Sequence, residues 1–181
     1  APERLQREAE LYAALGLQYV PPELREGLGE LDAAAAGALP RLVELSDLRG
    51  TFHCHTTYSD GKATLAEMAE AARAKGWQYL GIADHSPYAA YAGGLKPAAV
   101  TKQHREIDAW NREHGGAGQG RFRLFKGTES DILPDGSLDY DADVLARFDY
   151  VVGSVHSGFN LSRREMTDRV LRAIENPHLT M

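Results

Sequence analysis

Along the first fifty residues the apolar positions recur at helical spacing in two short runs, and then the pattern changes. Pro2 to Leu15 predicts a helix, with Leu5, Tyr12 and Leu15 on one face and Gly16 as its stop. Pro21-Pro22 forces Leu17 to Arg25 onto an extended or turning path. Glu30 to Ala38 is a weak, Ala-rich helical stretch interrupted by Gly37 and closed by Pro40. From Thr51 the pattern becomes strand, loop and helix, repeated. Thr51 to His55 opens with β-branched and aromatic residues and turns at Ser59-Asp60-Gly61. Thr64-Leu65-Ala66-Glu67 is a capping box for a helix that runs through Ala72 and ends at Gly76. Gln78 to Ala83 is an apolar strand ending in Asp84-His85. Pro97 to His114 predicts the next helix, with Val100, Ile107 and Trp110 in phase, and Gly115 to Gly120 a flexible connector. Phe122 to Thr128 is a third strand, ending in Glu129, and Tyr150 to Val155 a fourth, ending in His156. Ser162 to Glu165 caps a last helix, with Met166, Val170 and Ile174 on a shared face.

Strands alternating with helices predict a parallel α/β sheet or barrel, whose chemistry collects at the carboxyl ends of the strands. His53 and His55, His85, Glu129 and His156 all fall at such ends. In a strand, residues two apart share a face, so His53 and His55 set two imidazoles side by side and Cys54 points away as a small apolar filler. Asp60 follows at the turn, close enough to swing a carboxylate to the same spot. Nitrogen and oxygen donors converging in this way suit a first-row metal ion. Each residue also has a plainer reading. His53 and His55 alone would pass for a surface pair, Asp60 for an ordinary turn residue, His85 for a hydrogen-bonded core residue, and Glu129 for an ion-pair partner of Lys126. Agreement across four strand ends favours the metal. Asp84, on the opposite face from His85, reads as a partner orienting a ligand or as a structural hydrogen-bond acceptor.

The remaining polar residues read as solvated. His104 and His114 have charged helical neighbours, and His178 lies past a helix end. Asp131, Asp135, Asp139, Asp141 and Asp143 lack the order of a calcium loop and read as the solvated lead-in to a helix.

At 181 residues, with 43% apolar and 25% charged residues, the chain is long enough for one domain with a substantial core. No apolar run is long enough to span a membrane. One cysteine cannot form an internal disulfide, which fits a reducing compartment, and the expected location is cytoplasmic. A net charge of -6 argues against strong long-range attraction to nucleic acid, although divalent ions would make one pocket locally positive.

Four ordered motifs carry a resemblance: Phe52-His53-Cys54-His55-Thr56-Thr57-Tyr58-Ser59-Asp60-Gly61, Ala83-Asp84-His85-Ser86, Gly127-Thr128-Glu129 and Gly153-Ser154-Val155-His156-Ser157. Together they resemble the PHP (polymerase and histidinol phosphatase) family of metal-dependent phosphoesterases. More narrowly, the chain looks like the PHP domain of bacterial family X DNA polymerases. Ala13 to Arg25 resembles the closing segment of that family's polymerase thumb, and Leu45 to Gly50 the lead-in to its PHP domain. The resemblance implies a thumb-like segment over 1–25, a linker over 26–47 and the first part of a PHP domain over 48–181. That part would be the first four β/α units of a distorted seven-stranded (β/α)7 barrel. The implied ligands are His53, His55, Asp60, His85, Glu129 and His156, with Asp84 behind them, holding two or three ions of Mn or Zn in the complete site. The implied activity is 3′→5′ exonuclease-type phosphodiester hydrolysis in a polymerase of DNA repair synthesis. The implied partners are DNA, the polymerase core and the remaining barrel strands. A Gly-His-Pro motif and a late Asp-x-His motif normally complete the ligand set and are not among these residues. The stretch is therefore expected to be a fragment, inactive alone. The competing readings are a stand-alone phosphomonoesterase of the histidinol-phosphatase type and a non-catalytic structural module.

Overall fold

A computed structural model describes residues 6–115 and 122–181, which fall into two compact units, Ala1–Ser46 and Asp47–Met181. The first unit holds α1 (Glu8–Ala14), a single 3₁₀ turn at Pro22–Leu24 and α2 (Glu30–Ala35). Pro2 and Leu5 of the predicted first helix lie outside the described residues. Arg25 ties this unit together. Its guanidinium reaches Glu8 at 2.9 and 3.1 Å, donates to Val20 O at 3.0 Å and stacks on Tyr12 and Tyr19. The double prolines turn the chain so that Arg25 can come back to α1.

The second unit runs β1 (Gly50–Cys54), α3 (Leu65–Ala74), β2 (Tyr79–Ile82), α4 (Pro97–His114), β3 (Arg123–Asp131), α5 (Ala142–Leu145), β4 (Tyr150–Ser154) and α6 (Arg163–Ile174). The four strands form one parallel sheet in sequence order, curled like half a barrel, as a chain of β/α units requires. On the convex side Leu65, Ala69 and Ala72 of α3 and Ile107 and Trp110 of α4 pack on Leu80, Ile82 and Leu124, and Cys54 packs against this cluster. On the other side Phe52, Phe125 and Tyr150 meet. Gly81 and Gly127 make room there, because a Cβ on either would collide with Tyr150, and at Gly81 with Phe52 as well. Tyr150 then donates its hydroxyl hydrogen to Ile82 O at 2.9 Å and accepts from His53 N–H at 3.3 Å. Two glycines thus admit the tyrosine that holds β1 at its first histidine.

Both capping boxes form, at Thr64/Glu67 and Ser162/Glu165. Several expectations need correction. β3 runs beyond Glu129 to Asp131, so Asp131 is a fully buried strand residue, not a solvated one. His104 is buried on α4 with its ring edge-on to Phe148, and His114 is half-buried and stacked on Trp110. Both lie on the side of α4 that carries the in-phase apolar residues. On α6 the buried positions are Arg169 and Ala173, and Ile174 is exposed. Lys126 pairs with Asp108 at 2.7 Å and leaves Glu129 to other partners. The glycine-rich connector lies outside the described residues from 116 to 120. Along the outer edge of β4, Thr180 N–H donates to Val151 O and Gly153 N–H to Met181 O, so residues 180–181 cover part of that edge. No described helix is long and apolar enough to cross a membrane.

Candidate metal centre

At the carboxyl ends of β1 to β4 the predicted residues come together. β1 is irregular between Thr51 and Cys54, where His53 takes a left-handed conformation (φ 62°). Plain alternation therefore does not place the two histidines. A local kink does, and their rings stack with centroids 5.4 Å apart. A non-glycine residue held at positive φ costs energy that the surrounding contacts must offset, the Tyr150 hydroxyl among them.

The next turn is fixed by Asp84. This buried carboxylate accepts from Thr56 N–H and Oγ1 (both 2.8 Å), Ser59 Oγ (2.6 Å), Ser59 N–H (3.2 Å) and Gln103 Nε2 (2.6 Å). Its bonds go to the turn that presents Asp60 and to Gln103 of α4, not to a histidine ring. Gly61 closes that turn by donating to Thr56 O at 2.9 Å, and a Cβ there would strike the backbone of His55. Asp60 consequently lies 2.9 Å from His55 Nδ1 and 3.5 Å from His85 Nε2.

Glu129 is the hub. Its Oε2 lies 3.4 Å from His53 Nε2, 3.3 Å from His55 Nε2 and 3.1 Å from His85 Nδ1, while Oε1 lies 3.3 Å from His156 Nε2. Burial works to raise this carboxyl, but hydrogen bonds from His55 and Ser154 and the nearby His85 and His53 hold it down at about 2. The hydrogen bond to Glu129 is the main reason the His55 imidazole is pushed up to about 9, with burial opposing it and Asp60 assisting. For Asp60, burial acts upward but His55 and His85 bring the carboxyl below its ordinary value.

Sequence reasoning missed one residue of this cluster. Asp131, two positions after Glu129 on the same strand face, sets Oδ1 3.1 Å from His156 Nδ1, and burial raises its carboxyl. Period-two alternation from Glu129 was the available signal.

The donor set fits a divalent ion. Three imidazole nitrogens crowd one carboxylate oxygen, more than its lone pairs can accept. His85 Nδ1 is buried and makes no hydrogen bond despite that proximity. Two ligand atoms each about 2.1 Å from a common cation, at about 90–110°, stand about 3.0–3.4 Å apart. The Glu129–histidine separations match that spacing. Three overlapping groups have donor atoms within 4.8 Å of one another: His53, His55 and Glu129; His55, Asp60 and His85; and His85, Glu129 and His156.

A curled β/α sheet gathers histidines and acids at its strand ends in a set that could hold divalent ions, and the chain belongs to the PHP domain family, matched over residues 51–177. It is 44% identical over 172 residues, 95% of its length, to the DNA polymerase/3′-5′ exonuclease PolX of Bacillus subtilis. It is 31% identical over 136 residues to a probable phosphatase of Caldicellulosiruptor saccharolyticus and 28% over 131 residues to one of Syntrophotalea carbinolica, covering 70% of this chain in each case. The chain spans 29% of the polymerase's length and 50% of each phosphatase's.

Proposed function

We propose that this chain carries the phosphodiester-hydrolysing centre of a family X DNA polymerase, acting as a 3′→5′ exonuclease on DNA during repair synthesis. The observation that carries the reading is the convergence of His53, His55 and His85 on one Glu129 oxygen within 3.1–3.4 Å. His53, His55, Asp60, His85, Glu129 and His156 would hold two or three ions, with manganese and zinc as the metals suited to imidazole and carboxylate. Bound there, the ions supply Lewis acidity toward a phosphodiester oxygen and an acidified water as nucleophile. Glu129 belongs to two of the three ligand groups, which suits its carboxylate to bridging. Asp84 fixes the Thr56–Ser59 turn and so the approach of Asp60, and Asp131 orients His156. The remaining barrel strands and the polymerase core of the same protein complete the environment, and DNA is the partner.

The test uses the full-length protein, a 3′-labelled single strand and p-nitrophenyl phosphate. Manganese-stimulated release of nucleotides is expected from the strand, and His53→Ala/His55→Ala should abolish it while circular dichroism stays unchanged. The probable phosphatases among the relatives favour a second reading, a phosphomonoesterase. Faster turnover of p-nitrophenyl phosphate than of DNA would select it. Undiminished release by the double variant would refute the ligand assignment.

A further inference from the structure

Nine residues separate His85 from Leu95, and they close on the centre. Leu95 N–H donates to His85 O at 2.7 Å and Ser86 N–H to Glu129 O at 3.0 Å, so the segment is tied at its base to two residues of the metal cluster. Inside it Ala89 N–H donates to Ser86 O and Gly94 N–H to Ala89 O, while Tyr88 N–H is held by Asp139 Oδ2 at 2.6 Å. Gly93 takes φ 71°, and a Cβ on Gly94 would collide with Ser86 O, so the closure depends on both glycines. Ala89 and Ala92 are buried beneath the tip. This is a compact loop with joined ends and its own small core.

From that tip Tyr91 stands out 75% exposed, its ring centroid 6.2 Å from His85 and 6.3 Å from His156. Single exposed aromatics are ordinary on protein surfaces. What sets Tyr91 apart is a rigidly held backbone that presents an exposed ring beside the metal-binding histidines.

We infer that Tyr91 is a stacking platform for a nucleobase flanking the phosphodiester that is cut, an inference that rests on the nuclease reading above. Every base offers a π-face, so stacking grips a strand without reading its sequence. With a net charge of -6, the chain offers little long-range attraction for the phosphate backbone away from the metal cluster. Stacking supplies a grip next to the metal cluster that the charge of this surface does not. A backbone held in place in advance leaves only the side chain's two torsions to order on binding, which favours its use as a platform.

The experiment compares wild type, Tyr91→Ala and Tyr91→Phe of the full-length protein on a short single-stranded DNA with manganese. The same strand is also made with an abasic residue at each of the two positions flanking the scissile bond, and with 2-aminopurine at those positions. Tyr91→Ala is expected to raise KM about ten-fold. Tyr91→Phe should behave as wild type, because the face of the ring is what acts. Removing the base at one flanking position should cost wild type about as much as the alanine change and cost the alanine variant nothing further. Quenching of 2-aminopurine fluorescence at that position should vanish in Tyr91→Ala alone. Additive losses at both positions, or a phenylalanine variant as impaired as the alanine one, would overturn the inference while the nuclease reading stands. If wild type releases no nucleotide from DNA, the nuclease reading itself has failed.

Discussion

Asp131 holds one imidazole nitrogen of His156 so that the other, Nε2, faces Glu129 at 3.3 Å. A carboxylate behind a ligating histidine fixes its tautomer and ring angle, and its removal typically costs 10–100-fold in metal affinity. Asp131→Asn should therefore weaken manganese binding within that range by calorimetric titration without altering the fold, and unchanged affinity would leave Asp131 a structural residue. His104 makes a different prediction. Burial, then the charges of Lys126 and Arg147, bring its imidazole down to about 4. The unfolded chain takes up that proton near pH 6.5. Between these values the unfolded state binds more protons, so stability falls as pH drops from about 6.5 to about 4, by on the order of 2 kcal/mol. His104→Gln should flatten this part of the urea-midpoint profile, and an unaltered acid limb would remove His104 as its cause. Neither residue was read correctly from sequence. A histidine among charged helical neighbours and an aspartate in an acidic run look solvated, because local composition does not report which face a tertiary neighbour covers. The histidines at strand ends were legible because an apolar strand announces where it stops.

Element boundaries followed the same logic. Both capping boxes were readable because the Ser or Thr and the Glu three residues later satisfy each other locally. The helix from Pro97 to His114 likewise follows from its proline start and its buried Val100, Ile107 and Trp110. Helix α6 was misread at its buried face. Arg169 is 1% exposed and its guanidinium donates to Leu133 O at 2.9 Å, Ser157 O at 2.7 Å and Ile132 O. It thereby joins α6 to the segments that follow β3 and β4, immediately behind Asp131 and His156. Periodicity counts an arginine as polar and cannot see three carbonyls waiting for it. Arg169→Met keeps much of the volume but leaves the Ile132 and Ser157 carbonyls without a donor, while Leu133 O keeps Gly136 N–H, so it should destabilise by about 2–4 kcal/mol. Urea unfolding measures this, and a loss below about 1 kcal/mol would mean that water or backbone shifts satisfy the carbonyls instead. The irregularity at His53 was also illegible. It depends on Tyr150, 97 positions away, and on the space left by Gly81 and Gly127.

At the scale of the molecule, residues spread from His53 to His156 meet in one cluster only when the sheet is formed, so ion binding and folding of Asp47–Met181 must be linked. An ion that binds the folded centre and not the unfolded chain adds about 2.7 kcal/mol of stability at a hundred times its dissociation constant. For a unit of this size, each kcal/mol raises the melting temperature by about 2–4 °C. Manganese in that excess should therefore raise Tm by about 5–10 °C, and a chelator should reverse the rise. Zinc should give a smaller net gain relative to its affinity, because histidines and the single cysteine of the unfolded chain compete for it. His53→Ala/His55→Ala should lose most of the manganese shift while retaining a cooperative transition. A shift of undiminished size in that variant would mean that the ions bind elsewhere, and the strand-end cluster would then be an ion-pair network without a metal.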